Sequence, residues 1–68
     1  MLVQAGDTVT VTGNSSFCST YTTKVEELLT RYDKITGKPY QVIVTKEQKF
    51  DSRTGYAIDN LHYYLANW

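Results

Sequence analysis

This sequence has very little of the usual equipment of chemistry. Its 68 residues hold one cysteine, one histidine and one proline. A lone thiol, Cys18, excludes an internal disulfide. A lone imidazole, His62, leaves a zinc site dependent on carboxylates or on other chains. Charge is balanced, seven basic residues against seven acidic, so there is no basic excess of the kind that binds nucleic acid by neutralising phosphates. No apolar run approaches a membrane span. The opening Met1-Leu2-Val3-Gln4 lacks the basic start and long apolar centre of a secretory signal.

A chain of this length is one domain with a thin core, burying about 60% of its unfolded surface. Domains below roughly 70–80 residues often rely on disulfides, a metal or oligomerisation. Only the last remains here, so self-association is expected. Leu2, Val3 and the terminal Trp68 are the residues expected between subunits. No cofactor is expected.

Thr8-Val9-Thr10-Val11-Thr12 alternates strictly and is β-branched throughout, which predicts a strand with both valines inward. Asn14 to Thr22 is polar and reads as a long loop carrying Phe17 and Tyr21. Thr23-Lys24-Val25-Glu26 has the spacing of a capping box. Val25, Leu28, Leu29 and Tyr32 then recur at i, i+3, i+4 and i+7, with Glu27 and Arg31 at i, i+4. These spacings predict a helix from near Lys24 to near Asp33, stopped by a left-handed Gly37. Tyr40 to Lys46 is the strongest strand, with Tyr40, Val42 and Val44 on one face and Ile43 on the other, so both sides are expected to be partly covered. Asp51-Ser52-Arg53-Thr54-Gly55 is a turn between Phe50 and a returning strand at Tyr56. The tail from His62 predicts a turn and a final short strand.

No catalytic constellation stands out. Cys18 and His62 are the only thiol–imidazole combination, and Cys18 lies in a soft polar loop. Glu26 and Glu27 are adjacent and diverge on a helix. The aromatic residues are more informative: six tyrosines, two phenylalanines and one tryptophan. Such rings give contact area at low conformational cost and carry polar edges. Tyr32 and Tyr40 are assigned to the core. Phe17 and Tyr21 either pin their loop or line a groove. Tyr63 and Tyr64 are consecutive, so in an extended segment they point to opposite sides. The candidate binding surface is Phe17, Tyr21, Arg53, Tyr63 and Tyr64. Trp68 closes the fold, lies in a subunit contact or meets ligand.

Three stretches carry a resemblance that spans nearly the whole chain: Gly6-Asp7-x-Val9-x-Val11-Thr12-Gly13, Lys38-x-Tyr40-x-Val42, and Ile58-x-x-Leu61 followed by Tyr64-Leu65. Together they resemble the SH3-like cell-wall-binding domains at the C-termini of endolysins from phages of Gram-positive bacteria, the enterococcal and lactic branches in particular. That family often has Trp-Val where this chain has Tyr64-Leu65, and a loop where a helix is expected here. The resemblance implies a single domain over residues 1–68, a mainly β, small SH3-like barrel with one short helix after the first strand. It implies a non-catalytic module that targets a peptidoglycan hydrolase, an amidase or cysteine endopeptidase, to peptidoglycan or a wall polymer. Such a module is made in the host cytoplasm and acts at the wall after release. Some members of the group are also made as separate polypeptides that assemble with the full-length enzyme; Met1 and the small size suit that, though Met1 equally suits a boundary cut from a longer chain. The resemblance also implies a tetramer first and a dimer second. A small regulatory barrel binding a protein or nucleic-acid partner is the rival function. A β-grasp arrangement is the rival fold.

Overall fold

The computed structural model describes residues 3–13, 19–59 and 62–67. Those residues form five strands: β1 (Thr8–Gly13), β2 (Tyr21–Tyr32), β3 (Pro39–Thr45), β4 (Lys49–Asp51) and β5 (Tyr63–Asn67). They make one antiparallel sheet in the order β4-β3-β2-β1-β5. The alternating Thr–Val stretch is β1 as expected, with Val9 and Val11 almost inaccessible at 1% and 0%.

The helix expected from Lys24 to Asp33 is not there, and no helix occurs among the described residues. That stretch belongs to the twelve-residue β2, which also takes up Tyr21 and Thr22 from the expected loop. The reason is a β-bulge. The register against β3 slips between Val25 and Glu27, leaving Glu26 as an extra residue. A bulge resets which side of the sheet the following residues face. Val25 therefore sits in the core, and Leu28, three residues on, packs against the same core. Strand alternation plus one inserted residue imitates the helical i, i+3 step. Leu29 falls on the other face and Tyr32 is 66% exposed, so Tyr32 is not core. The apparent capping box dissolves too: the Thr23 hydroxyl donates to Glu47 at 2.9 Å rather than serving a helix end. Glu27 and Arg31, four residues apart along a strand, are about 13 Å from each other. Without the helix, the β-grasp rival loses its defining element.

Gly37 does take a left-handed conformation, φ +73°, but inside a hairpin turn joining β2 to β3. Asp33 organises that turn. Its backbone N–H donates to the Lys38 carbonyl at 2.9 Å, and its side chain accepts from the backbone N–H groups of Ile35 and Thr36 at 2.7 and 2.9 Å.

The core cluster is Val9, Val11, Val25, Ile43, Phe50, Ala57 and Leu65. On β3 the core cluster takes Ile43 from one face, while Val42 on the Tyr40–Val44 face is also buried, at 3%, so both sides of the strand are covered as expected. Residues directly opposite across strands share a face. One inner row runs Leu28–Ile43–Phe50–Ala57 through successive pairings. The turn at 51–55 forms as expected, with the Gly55 N–H donating to the Asp51 carbonyl at 2.7 Å. The chain beyond it lies between β4 and β5. The Asp51 N–H donates to the Tyr56 carbonyl at 2.9 Å and the Ile58 N–H to the Lys49 carbonyl at 2.8 Å. On the other side, the Leu65 N–H donates to the Gly55 carbonyl at 2.8 Å and the Ala57 N–H to the Tyr63 carbonyl at 3.0 Å.

Candidate functional site

The outer face carries a second continuous row. Leu29 lies opposite Val42, and Val42 opposite Asp51. The Asp51–Tyr56 backbone bond carries the row across the turn, and Tyr56 pairs with Tyr64, which lies opposite Thr12 on β1. The Tyr56 and Tyr64 rings are 5.5 Å apart between centroids and inclined at 49°. Tyr56 is 39% exposed and Tyr64 half-buried. This is an open aromatic pair, able to receive an apolar ring face and to hydrogen-bond at its rim.

Arg53 flanks the row and is heavily engaged. Its Nε and Nη2 donate to the Asp51 carboxylate at 3.1 and 2.8 Å, and Nη1 donates to Asp33 Oδ2 at 2.9 Å. Its own backbone N–H also donates to Asp51 Oδ1 at 2.8 Å. The guanidinium carbon lies 3.7 Å from the centroid of the Tyr40 ring, a cation–π geometry. Arg53 thus ties together the β2–β3 hairpin, β3 and the turn after β4. The Arg53 guanidinium, hydrogen-bonded to Asp51, holds that carboxyl below its usual range against some desolvation. Asp33 is also held low, chiefly by the Thr36 and Ile35 N–H groups and then by Arg53. Arg53 is correspondingly raised, chiefly through Asp51. Two carboxylates converge on one guanidinium at this end of the face, and their oxygens keep lone pairs beyond those bonds. Their remaining capacity is as hydrogen-bond acceptors for hydroxyl, amide or ammonium groups.

Tyr21 and Tyr63 belong elsewhere. Both pack against the core, edge to face at 6.4 Å. The Tyr21 hydroxyl accepts from Gln48 Nε2 at 3.1 Å, while Gln48 Oε1 is buried with no hydrogen-bond partner among the described residues. Tyr21 opens β2 whereas Arg53 grips the hairpin beyond its far end, so the expected site residues divide into two groups. Tyr63 and Tyr64 do point to opposite sides, Tyr63 inward and Tyr64 outward. Val3 packs against this chain's own core, which takes up part of the surface expected between subunits. Phe17, Cys18, Leu2 and Trp68 lie outside the described residues.

Sequence reasoning missed Tyr56, Tyr40, Asp51 and Asp33 as parts of this surface. Tyr40 looked like core because its apolar neighbours share its face. Only the cross-strand register makes Tyr56 a neighbour of Tyr64. Among the described residues, no group of three or more histidine, cysteine or acidic side chains could hold a metal ion. Compared with family models, curated proteins and solved structures, the chain matches none.

Proposed function

We propose that this domain is an SH3-like barrel that binds the Gram-positive cell wall, taking peptidoglycan or an associated wall polymer on its outer face and carrying a peptidoglycan hydrolase there. Barrel closure is supported by the backbone bonds of residues 55–58, which reach β4 on one side and β5 on the other. The observation that carries the binding reading is the row Asp51–Tyr56–Tyr64, with Arg53 held beside it over Tyr40. An exposed tilted ring pair next to fixed carboxylate acceptors suits a sugar ring or a short peptide stem. The rings meet apolar C–H faces, while tyrosine hydroxyls and carboxylates meet hydroxyl and amide hydrogens. Within the surface read from sequence, Tyr64 contacts ligand and Arg53 sets the platform. Tyr21 and Tyr63 support the fold beneath a separate edge.

The test is a fluorescent fusion of the chain incubated with purified enterococcal walls, before and after extraction of secondary polymers. Retention on walls, with turbidity of intact cells unchanged, is expected. Failure to label walls of any Gram-positive species overturns the reading. Loss after extraction assigns the ligand to the polymer, and persistence assigns it to peptidoglycan.

A further inference from the structure

The two halves of β2 have different neighbours. Up to Val25 the strand pairs with β1, whose ladder ends at Thr8↔Lys24 and is extended by bonds from Val25 to Asp7 and Gly6. From Glu27 onward its partner among the described residues is β3. The Asp33–Lys38 backbone bond sets the alternation of that ladder, so Glu27, Leu29 and Arg31 direct their backbone groups toward β3. Leu28, Thr30 and Tyr32 therefore direct N–H and C=O away from it, and none of them has a further backbone partner among the described residues. Among the described residues this is an open sheet edge, flanked by half-buried Leu28 and Leu29 and by exposed Tyr32. Such edges are templates for another strand.

The side chains along the edge read almost as a palindrome: Glu27, Leu29, Arg31. Leu29 is central, with an acid two residues before it and a base two residues after it. Neither Glu27 nor Arg31 forms an ion pair among the described residues. We infer that this edge pairs antiparallel with the same edge of a second copy, about a two-fold axis at Leu29. Leu28 then lies opposite Thr30 of the second copy, and the outward N–H and C=O groups of each meet those of the other. Glu27 lies opposite Arg31 of the second copy, and Arg31 opposite its Glu27. Leu29 meets Leu29 at a non-hydrogen-bonded position, where opposed side chains approach most closely. A two-fold axis at Thr30 sets Glu27 against Asp33. An axis at Leu28 leaves Arg31 against Val25. Only the Leu29 axis matches both charges, and the resulting contact is self-complementary and closed.

The inference is independent of what the outer face binds. Sedimentation velocity and light scattering on the full chain at micromolar concentration test it. The native chain is expected to dimerise through this edge. Glu27→Arg or Arg31→Glu each raises the dissociation constant by about tenfold or more, because each places two like-charge pairs at the interface. The combined Glu27→Arg/Arg31→Glu variant recovers native-like association. Thr30→Pro removes an outward N–H without breaking the β3 ladder and yields monomer. Circular dichroism on every variant checks that the sheet persists, as these side chains are exposed. A native chain that stays monomeric overturns the inference, because the edge then serves a foreign strand or none. So does an assembly indifferent to these changes, or a double variant no tighter than the singles.

Discussion

Ile43 and Val42 are adjacent on β3 and both nearly inaccessible, at 1% and 3%, yet they belong to rows of different chemical make-up. The Ile43 row continues into Leu28, Phe50 and Ala57 and is apolar throughout. The Val42 row starts apolar at Leu29 and turns into Asp51, Tyr56 and Tyr64. Both rows have the same pleat, strands and hydrogen-bond ladder. They differ in whether the final members need water. The inner row gains free energy by losing contact with solvent. The outer row keeps groups whose partners can be exchanged, and such groups are what a ligand can use.

The contrast breaks most violently at Phe50, which is 0% exposed at the centre of the inner row. Phe50→Ala should cost about 3–5 kcal/mol. The whole domain holds on the order of 3–10 kcal/mol, at roughly 0.05–0.15 kcal/mol per residue. Urea titration followed by circular dichroism should therefore find this variant's midpoint far below the native one, down to a chain already unfolded before denaturant is added. A cooperative transition close to the native midpoint would mean the inner row is not the centre of stability.

Leu28 and Leu29 sharpen the comparison, since they are consecutive and both half-buried. Leu28 packs on the core cluster and Leu29 lies on the outer row. At concentrations where the chain is monomeric, Leu28→Ala should cost about 1–3 kcal/mol, a partial version of a full core truncation. Leu29→Ala should cost less than about 1 kcal/mol, as outer positions usually do. Equal losses at both positions are the helix-face outcome and contradict the bulged strand.

These two residues also show where the sequence was readable. β1 was legible because its alternation is unbroken and every residue from Thr8 to Thr12 is β-branched. The turn at 51–55 and the left-handed Gly37 were legible from local backbone chemistry. β2 was not, because a bulge leaves no compositional mark at Glu26. Its one-residue insertion turned a period of two into a spacing that fits a helix. The β-branched Thr22, Thr23, Val25 and Thr30 argued for a strand, but the apparent capping box and the Glu27–Arg31 spacing argued against it, and long-range pairing with β1 and β3 decided. The outer face was only half legible. Tyr64 and Arg53 stood out as ring and charge, whereas Tyr56, Asp33 and Asp51 join them through cross-strand register, which one-dimensional spacing does not contain.

On the outer row, Tyr56→Ala and Tyr64→Ala should each weaken wall retention by about 1–2 kcal/mol, the usual cost of removing a ring contact at an interface. Their melting temperatures should stay near native. Tyr63→Ala, which unpacks the core side, should lower the melting temperature and reduce binding only in proportion to unfolded chain. Calorimetric melts alongside wall pull-downs separate the two. If Tyr63 proves the stronger binding determinant in folded protein, the assignment of inner and outer roles is reversed.

The smallest effect concerns the Arg53 staple. Asp33 and Asp51 both have folded pKa values below the unfolded carboxylate value of about 3.9. A depressed folded pKa means the unfolded chain binds protons more readily, so protonation favours unfolding. The staple's contribution is fully present above the unfolded value, and it is lost as pH falls through the lower folded values. Arg53 stays charged throughout and adds no titration of its own in this range. Because the ions are accessible to water, the total is small and weakened by salt. The Asp33→Asn/Asp51→Asn variant should melt slightly below the native protein near pH 7. The gap should close as both are taken from about pH 4 toward pH 2, with the native curve falling more steeply. It should also narrow at pH 7 when salt is raised toward about 1 M. Melting curves that stay parallel down to the lowest pH would show that Arg53 rests on Tyr40 by packing alone, leaving the aromatic pair as the outer row's chief functional feature.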